Sequence, residues 1–200
     1  MIDSKTYILP KDNYVRTSKK KSQIVVGNTF SEGMNHYIGW LKRHNGKYKK
    51  TAAFTISRNG LIYQHYNPKY YSEFIGINKY DEITITIVLE NVGWLNEINE
   101  DLFTITGKQY NDLTTIRNWR KHTYWSNYTD EQMTSLLDLS KYLCEKFNIP
   151  LQTIGHNTKV EDIYDYKGIT FRSNYTKLCT DINPTWDYEL FKEKLENYER

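Results

Sequence analysis

Short apolar runs alternate with a segment of helical periodicity in the first quarter of the chain. Residues 23–29 (QIVVGNT) form a β-branched run that is typical of a strand. Ser31 belongs to the residue types that cap helices, and apolar residues then recur at helical spacing: Met34, Tyr37, Ile38 and Leu41. The pattern predicts a strand followed by a helix over residues 31–44.

An Asn59-Gly60 dipeptide separates two further runs, residues 51–57 (TAAFTIS) and 61–65 (LIYQH). Both residue types tolerate positive φ, so the dipeptide is a strong hairpin signal. Residues 83–90 (ITITIVLE) alternate Thr with Ile and then become wholly apolar, as a strand does in the middle of a sheet. We predict a β-hairpin and then a central strand.

One long helix is predicted in the second half of the chain. Residues 129–132 (TDEQ) have the form of a capping box, and an apolar face follows until Pro150 ends it. Residues 151–156 (LQTIGH) predict a short strand, and residues 187–196 predict the last helix. Residues 91–127 show scattered aromatics without a clean period, which indicates a surface excursion or an added hairpin.

The domain organisation follows from length and from the lack of linkers. The first 22 residues are polar and end in three lysines, which predicts a mobile, solvated arm or the approach to the first strand. Residues 23–200 contain no repeat or low-complexity segment, and the 200-residue chain has the length of one ordinary domain. The order of elements predicts an α/β fold with a central mixed β-sheet flanked by helices.

Composition narrows the classes of function. Hydrophobic residues make up 38% and charged residues 26% of the chain, which indicates a folded protein. The net charge of +3 favours an anionic polymer as partner, but it does not indicate nucleic acid. The 18 tyrosines supply rigid contact area that suits sugars or proteins, or alternatively a tyrosine-rich core.

The sequence indicates neither a signal peptide nor a membrane partner. Residues 1–10 lack an apolar core, and no later stretch is long and apolar enough to span a bilayer. We therefore expect a protein that is made in the cytoplasm and stays soluble there. Cys144 lies in a helical pattern and Cys179 is the second cysteine, so we expect no disulfide.

Four stretches occur together in a familiar order: residues 23–29 (QIVVGNT), 53–64 (AFTISRNGLIYQ), 85–93 (ITIVLENVG) and 128–157 (from YTDEQ to TIGHN). In pattern and order they resemble the zinc-dependent N-acetylmuramoyl-L-alanine amidases, a family that includes phage lysozyme amidases and peptidoglycan recognition proteins. The resemblance spans most of the chain. It implies an amidase-like single domain whose ligand is peptidoglycan or a muropeptide.

In this family two histidines and a cysteine or aspartate hold zinc, and the fourth position holds the attacking water. The resemblance gives His156, in a Gly-His-Asn sequence, as the second histidine. It gives Asp181 as the preferred third ligand, with Cys179 as the rival. Lys177, two positions before that cysteine, matches a lysine that stabilises the developing oxyanion.

The first histidine of the family's pattern is missing. The sequence VVGNT places Gly27 at the ligand position, and Asn28 beside it is a poor neutral substitute for an imidazole. Of the other histidines, His65 is the best replacement because it comes from the sheet. The three remaining ones, His36, His44 and His122, are interpreted as surface or packed residues. We predict that zinc binding is weak or absent.

The family's acid–base groups are replaced as well. Ala52 stands at the position of a catalytic tyrosine, and Val88 stands at the position of a glutamate. Glu90 lies on the same strand face as Val88 but is displaced by two residues, so it is a weak catalytic candidate. Phe74 stands where many members have a histidine that faces the substrate. The scaffold is retained where the catalytic groups are not.

Two functions are consistent with these observations. A relative of the amidases could bind muropeptide or form part of a phage virion without hydrolysis, and Asn28, Tyr71, Phe74 and Asn157 are then candidates for ligand contact. Tyr70, Trp94 and Trp125 are further aromatic candidates. The alternative is an active zinc amidase, an endolysin or virion lysin that cleaves the lactyl-amide bond. An amino-acid composition rich in Lys, Asn, Tyr and Ile suggests phage origin. A further possibility is a regulator that binds another protein through residues 91–127.

Overall fold

The computed structural model describes residues 1–197 and is organised around a six-stranded mixed sheet. Its strands are β1 (Ile2–Asp3), β2 (Gln23–Asn28), β3 (Phe54–Ile56), β4 (Ile62–Gln64), β5 (Thr84–Leu89) and β10 (Gly168–Phe171). They are arranged in the order β1-β4-β3-β5-β2-β10, and only the β3–β4 pair is antiparallel. This sheet, with helices packed on it, confirms the predicted fold class.

Strand β5 lies in the middle of the sheet, as its apolar run predicts. It pairs in parallel with β2 on one side and with β3 on the other. Every residue of β2 and β5 is buried, which is the usual environment of a parallel strand covered on both faces. The Asn59-Gly60 hairpin is also confirmed, since β3 and β4 pair across it and Gly60 adopts a φ of +79°.

The described part of the chain contains five α-helices beside the sheet: α1 (Asn35–Lys42), α2 (Asn78–Ile83), α3 (Asp130–Phe147), α4 (Arg172–Tyr175) and α5 (Tyr188–Asn197). Helix α3 begins with the predicted capping box: the Thr129 hydroxyl accepts the Gln132 N–H, and the Gln132 side chain accepts the Thr129 N–H, both at 3.2 Å. Cys144, in α3, and Cys179 are both free. No helix within residues 1–197 is long and apolar enough to cross a membrane.

Helix α1 begins later than the sequence pattern predicts. Ser31 is not its N-cap, because the helix begins at Asn35 and Met34 occupies the cap position. The hydroxyl of Ser31 nevertheless accepts the backbone N–H of His36 at 3.2 Å. Ser31 therefore satisfies one free amide of the first turn from outside the helix.

The prediction of a strand at residues 151–156 is wrong. Within this segment Thr153 forms one isolated bridge, to Ile169. The strand at this edge of the sheet is β10, whose four residues all pair with β2, from Gln23 to Val26. A four-residue strand is too short to show a period, and its stability comes from pairing with a segment far away in sequence.

Residues 1–22 pack against the rest of the chain. Strand β1 adds to the edge of the sheet next to β4, and Leu9 and Asn13 are buried. Lys21, from the lysine run that predicts a solvated segment, is 2% exposed, and its ammonium donates to the Glu82 carbonyl at 2.9 Å. These contacts, which the sequence does not reveal, make the segment part of the domain.

Residues 94–126 form a second, antiparallel sheet. Its strands are β6 (Trp94–Ile98), β7 (Asp101–Phe103), β8 (Thr114–Trp119) and β9 (His122–Ser126), in the order β7-β6-β9-β8. Trp125 is fully buried, and its indole N–H donates to the Arg117 carbonyl at 2.8 Å. The aromatic-rich excursion is therefore larger than the added hairpin that the sequence indicates.

Candidate functional site

A groove of about 490 Å³ opens beside the carboxyl ends of β2 and β5. Asn28 and Val88 line it from the sheet, and α1 and Phe74 close its sides. Its aromatic lining residues are Phe30, Trp40, Tyr48 and Phe74, and its cationic lining residues are Arg43, Lys50 and Arg172. The groove therefore offers ring surface together with positive charge.

Gly27 directly precedes the groove residue Asn28 on β2, and the Asp181 carboxylate lies where a side chain of Gly27 would extend. A Cβ on Gly27 would lie 2.5 Å from Asp181 Oδ2 and 2.8 Å from Phe74 Cζ. Contacts this short do not occur between real side chains, so the present positions of the carboxylate and the ring require a glycine here. Position 27 supplies no ligand side chain and has no room for one.

Asp181, the third metal ligand that the family resemblance favours, is bound by a cation and an amide of this chain. Its Oδ2 lies 3.5 Å from the Arg172 guanidinium and accepts the backbone N–H of Asn28 at 3.2 Å. Burial raises the pKa of Asp181, while the charge of Arg172 and the Asn28 N–H act in the opposite direction. The guanidinium also lies 4.8 Å from the centre of the Phe74 ring.

The side-chain amide of Asn28 is held in one orientation. Its Oδ1 accepts the hydroxyl of Tyr128, and that hydroxyl accepts the backbone N–H of Asn183 at 3.1 Å. Asn28 Nδ2 is therefore directed away from Tyr128, and it is buried without a hydrogen-bond partner within residues 1–197. The unused carboxylate oxygen of Asp181, Oδ1, is likewise buried and unpartnered.

His156 lies among aromatic rings. Its ring centre is 5.7 Å from that of Phe171 and 5.3 Å from that of Tyr188, and its Nε2 is buried without a partner in the described part of the chain. Burial, together with the charge of Arg117, lowers the pKa of His156 to about 4. Asn157, beside it, donates its backbone N–H to the Ser173 hydroxyl at 3.2 Å.

The donor set does not fit a zinc ion. Within residues 1–197, no group of three His, Cys, Asp or Glu side chains is arranged to hold a metal. Asp181 already has a cationic partner, and Gly27 provides no donor atom. Burial raises the pKa of the Cys179 thiol, which disfavours the thiolate that a metal requires. Lys177, the candidate oxyanion stabiliser, is exposed.

The residues at or near the family's acid–base positions are hydrogen-bonded to the backbone or buried in the core. Glu90 accepts the backbone N–H of Gly33 at 2.6 Å and that of Arg58 at 3.0 Å, so its carboxylate ties two loops together. Ala52 and Val88 are 0% and 1% exposed, and both are apolar. None of these three residues offers a free proton-transfer group to the groove.

Apart from Phe74, the aromatic residues predicted from the sequence to contact a ligand are absent from the groove lining. Tyr71 is buried, its backbone bridges Val15, and the Lys21 ammonium lies 5.5 Å from its ring centre. Trp125 is in the core of the second sheet, and Trp94 stacks on His122 at 4.2 Å. Of the four named candidates for ligand contact, Asn28 and Phe74 line the groove.

Several groove residues were not identified from the sequence. Arg172 follows directly after β10, the strand whose position the sequence pattern misplaced. Trp40 directly precedes Leu41 on α1, and its residue type is typical of the hydrophobic core. Arg43 lies in the basic run that follows the helix, which is typical of a solvated surface. If the sequence pattern had indicated β10 and its pairing with β2, Arg172 could have been predicted to lie near the carboxyl end of β2.

A row of hydrogen-bonded groups is buried between α1 and the sheet. His36 Nε2 lies 2.9 Å from the Thr55 hydroxyl, and that hydroxyl lies 2.8 Å from His65 Nε2. His65 Nδ1 lies 2.7 Å from the Tyr7 carbonyl, which can only accept, so this nitrogen carries the proton. Both histidines are thus packed polar residues, and His65 is held by partners other than a metal.

Comparison with known proteins decides the family. The model of the N-acetylmuramoyl-L-alanine amidase family matches residues 17–168, about three quarters of the chain. This chain belongs to that family. A search of the curated proteins found no match.

Solved structures of amidases share the fold of this family member. The amidase LysC from Clostridium intestinale URNW superposes with a TM-score of 0.57 at 16% identity, covering 98% of this chain and 97% of that one. A mutant endolysin from Bacillus subtilis gives a TM-score of 0.58 at 16% identity, covering 98% of each chain. The catalytic domain of XlyA gives 0.58 at 15% identity, covering 98% of this chain and 99% of that one.

The chain thus shares the fold of the amidase family. The family is generally zinc-dependent, whereas in this chain Asp181 packs against Gly27 and pairs with Arg172, and no group of three metal-binding side chains occurs within residues 1–197. Fold membership alone does not establish hydrolysis, because activity depends on the groups at the site.

Proposed function

We propose that this amidase-family chain binds peptidoglycan fragments in its groove without hydrolysing them. The observation that carries the proposal is the pairing of Asp181 with Arg172 above Gly27. The guanidinium already neutralises this carboxylate, and glycine has no side-chain donor to replace the missing histidine. These residues then provide no site for the metal-activated water that amide hydrolysis requires in this family.

Binding has less demanding requirements than hydrolysis. It needs shape, ring area and complementary charge, whereas hydrolysis also needs a positioned and activated nucleophile. The groove supplies rings on which sugars can stack, and its cations suit the acidic groups of a cell-wall polymer. These features support a binding role.

Proton transfer is also poorly supported in the groove. His36 lines it, but burial and the neighbouring His65 lower the pKa of His36 to about 3. A neutral imidazole with so low a pKa is a weak base near neutral pH. Ala52 and Val88 cannot transfer protons, so the loss extends beyond the metal ligands.

We propose a phage setting for this binding function, in the virion or at the host cell wall. The residue usage described above supports it, as does the presence of endolysins among the similar structures. Other virion proteins are then candidate partners. Immunogold labelling of purified virions with an antibody against this chain tests the placement, and unlabelled particles would contradict it.

Co-sedimentation with purified peptidoglycan, combined with analysis of released stem peptides, tests the binding function. The wild-type protein should sediment with the wall and release no stem peptides. Arg43→Gln should weaken co-sedimentation because it removes a groove cation, while Lys42→Gln, an exposed neighbour outside the groove lining, should not. Release of stem peptides that His156→Ala abolishes would establish hydrolysis instead.

A further inference from the structure

We propose that Arg172 and Asn28 form a metal-independent site for the terminal carboxylate of a peptide, whose neighbouring N–H is accepted by Asp181. The inference rests on the proposed binding function and specifies which part of the ligand the groove recognises. It is carried by one cation and by two buried polar atoms that lack hydrogen-bond partners in the described residues, 1–197.

Arg172 is a cation whose ion pair with Asp181 uses only part of its N–H donors. A guanidinium has five N–H donors in a planar fork that suits a carboxylate. Within the described residues its ion pair is with Asp181, through one nitrogen at 3.5 Å, and its central carbon lies 4.8 Å from the centre of the Phe74 ring. The side chain is 27% exposed and lines the groove, so a second anion can reach it.

Asn28 supplies a second donor at the same place. The Tyr128 hydroxyl fixes the orientation of its amide, which leaves Nδ2 buried and without an acceptor in residues 1–197. Asn28 is 5% exposed and lines the groove next to Arg172. A buried unpaired donor is unfavourable, and an oxygen of a bound carboxylate would satisfy it.

Asp181 adds the requirement for a donor on the ligand. It is 1% exposed, and its Oδ1 accepts no hydrogen bond within residues 1–197 while Oδ2 is engaged by Arg172 and Asn28. A simple anion would leave this oxygen unpaired. In the C-terminal residue of a peptide, the carboxylate and an amide N–H are both attached to Cα. Such a residue can accept from Arg172 and Asn28 and donate to Asp181 Oδ1.

The surrounding charge favours such a ligand. Lys50 and Arg43 line the same groove, and Asp181 is the acidic residue paired with Arg172. The ligand would therefore bring its negative charge to a region with excess positive charge. The absence of a side chain at Gly27 belongs to the same arrangement, since it leaves room for the carboxylate of Asp181.

Titration with N-acetylalanine and with N-acetylalaninamide, followed by NMR, tests the site without a glycan. Both compounds have the N–H, but only the first has the carboxylate. N-acetylalanine should bind about tenfold or more tightly than the amide, and it should shift the Asn28 side-chain NH₂ resonances. Equal affinities, or Asn28 resonances that do not move at saturation, would overturn the proposal.

Arg172→Lys provides the matched substitution, because it keeps the charge beside Asp181 and removes the planar fork. It should reduce the preference for N-acetylalanine over the amide severalfold, whereas Arg16→Lys, at an exposed position, should leave it unchanged. An unchanged preference in folded Arg172→Lys would contradict the assignment. If that variant does not fold, the wild-type ligand pair and the Asn28 resonances still decide.

The two proposals fail in different ways. If N-acetylalanine binds as expected but the protein does not sediment with peptidoglycan, the carboxylate site stands and the proposed function is wrong. If the protein sediments with peptidoglycan but does not distinguish the acid from the amide, the binding function stands and the carboxylate site is wrong.

Discussion

Asp181 occupies the space into which a side chain at Gly27 would extend, since a Cβ there would lie 2.5 Å from Asp181 Oδ2. The carboxylate cannot simply move away, because Arg172 and the Asn28 N–H hold it. The missing histidine and the engaged aspartate are therefore two aspects of one packing arrangement.

Gly27→Ala should lower the free energy of unfolding by about 1–3 kcal/mol, because the methyl group overpacks a filled site. Urea denaturation measures the change. Gly39→Ala is the matched control: a Cβ at this position of α1 meets nothing within 4 Å, and alanine favours a helix by about 0.5–1 kcal/mol. Equal stability of Gly27→Ala and wild type would show that the site is less tightly packed than described.

Rebuilding the family's residues should destabilise the chain before it creates a metal site. Gly27→His meets Asp181 and Phe74, while Ala52→Tyr and Val88→Glu place large or charged groups at buried positions. We expect the triple variant to melt well below wild type and to bind no stoichiometric zinc. Calorimetry and metal analysis check this, and a folded variant with one tightly bound zinc would contradict it.

Chelation should have no effect on the wild-type protein. Dialysis against a mild chelator should leave the melting temperature unchanged and recover less than stoichiometric zinc, since two ligands do not form the cage of a zinc site. Metal analysis before and after dialysis makes the comparison. A stoichiometric zinc that survives dialysis would overturn the prediction and would require a third protein ligand.

Thr129→Ala should cost roughly 1 kcal/mol of stability through loss of the N-cap of α3. The Thr129 hydroxyl also donates to the Arg58 carbonyl at 2.6 Å, so the loss should exceed that of an isolated cap. Thr129→Ser keeps the hydroxyl and should retain most of the stability. A denaturation midpoint that does not change in Thr129→Ala would contradict the role of the cap.

Acid should destabilise the protein between about pH 6.5 and pH 4, because buried histidines resist protonation. Burial lowers the pKa of His65 to about 4, and that of His156, also beside Arg117, to about 4. An unfolded histidine titrates near pKa 6.5, so in this window the unfolded chain binds protons that the folded chain does not. Stability therefore falls as the pH falls, by about 1.4 kcal/mol per pH unit for each such proton.

Urea midpoints at several pH values between 7 and 4.5 measure this dependence. His65→Gln should reduce the slope of stability against pH by about one proton, whatever its effect on stability at neutral pH. His44→Gln, at an exposed position, should leave the slope unchanged. If His65→Gln and wild type have the same slope, His65 does not resist protonation in the folded state.

The elements that could be predicted from sequence are those whose signal is local. The Asn59-Gly60 turn, the capping box at Thr129 and the apolar run that becomes β5 each depend on residues within a few positions of one another. Together with their order they were sufficient to identify the family and the mixed sheet. The sequence also showed that Gly27 cannot be a ligand, because the residue type alone decides it.

Tertiary structure decided what the remaining polar residues do. Strand β10 is stabilised by pairing with β2, far away along the chain, and this pairing brings Arg172 beside Asp181 and Asn28. The sequence presents Asp181 as a metal ligand, and only the packing shows that it has a cation for a partner. Periodicity reports the conformation of a single segment, whereas the partner of a buried charge depends on which distant segments fold against it.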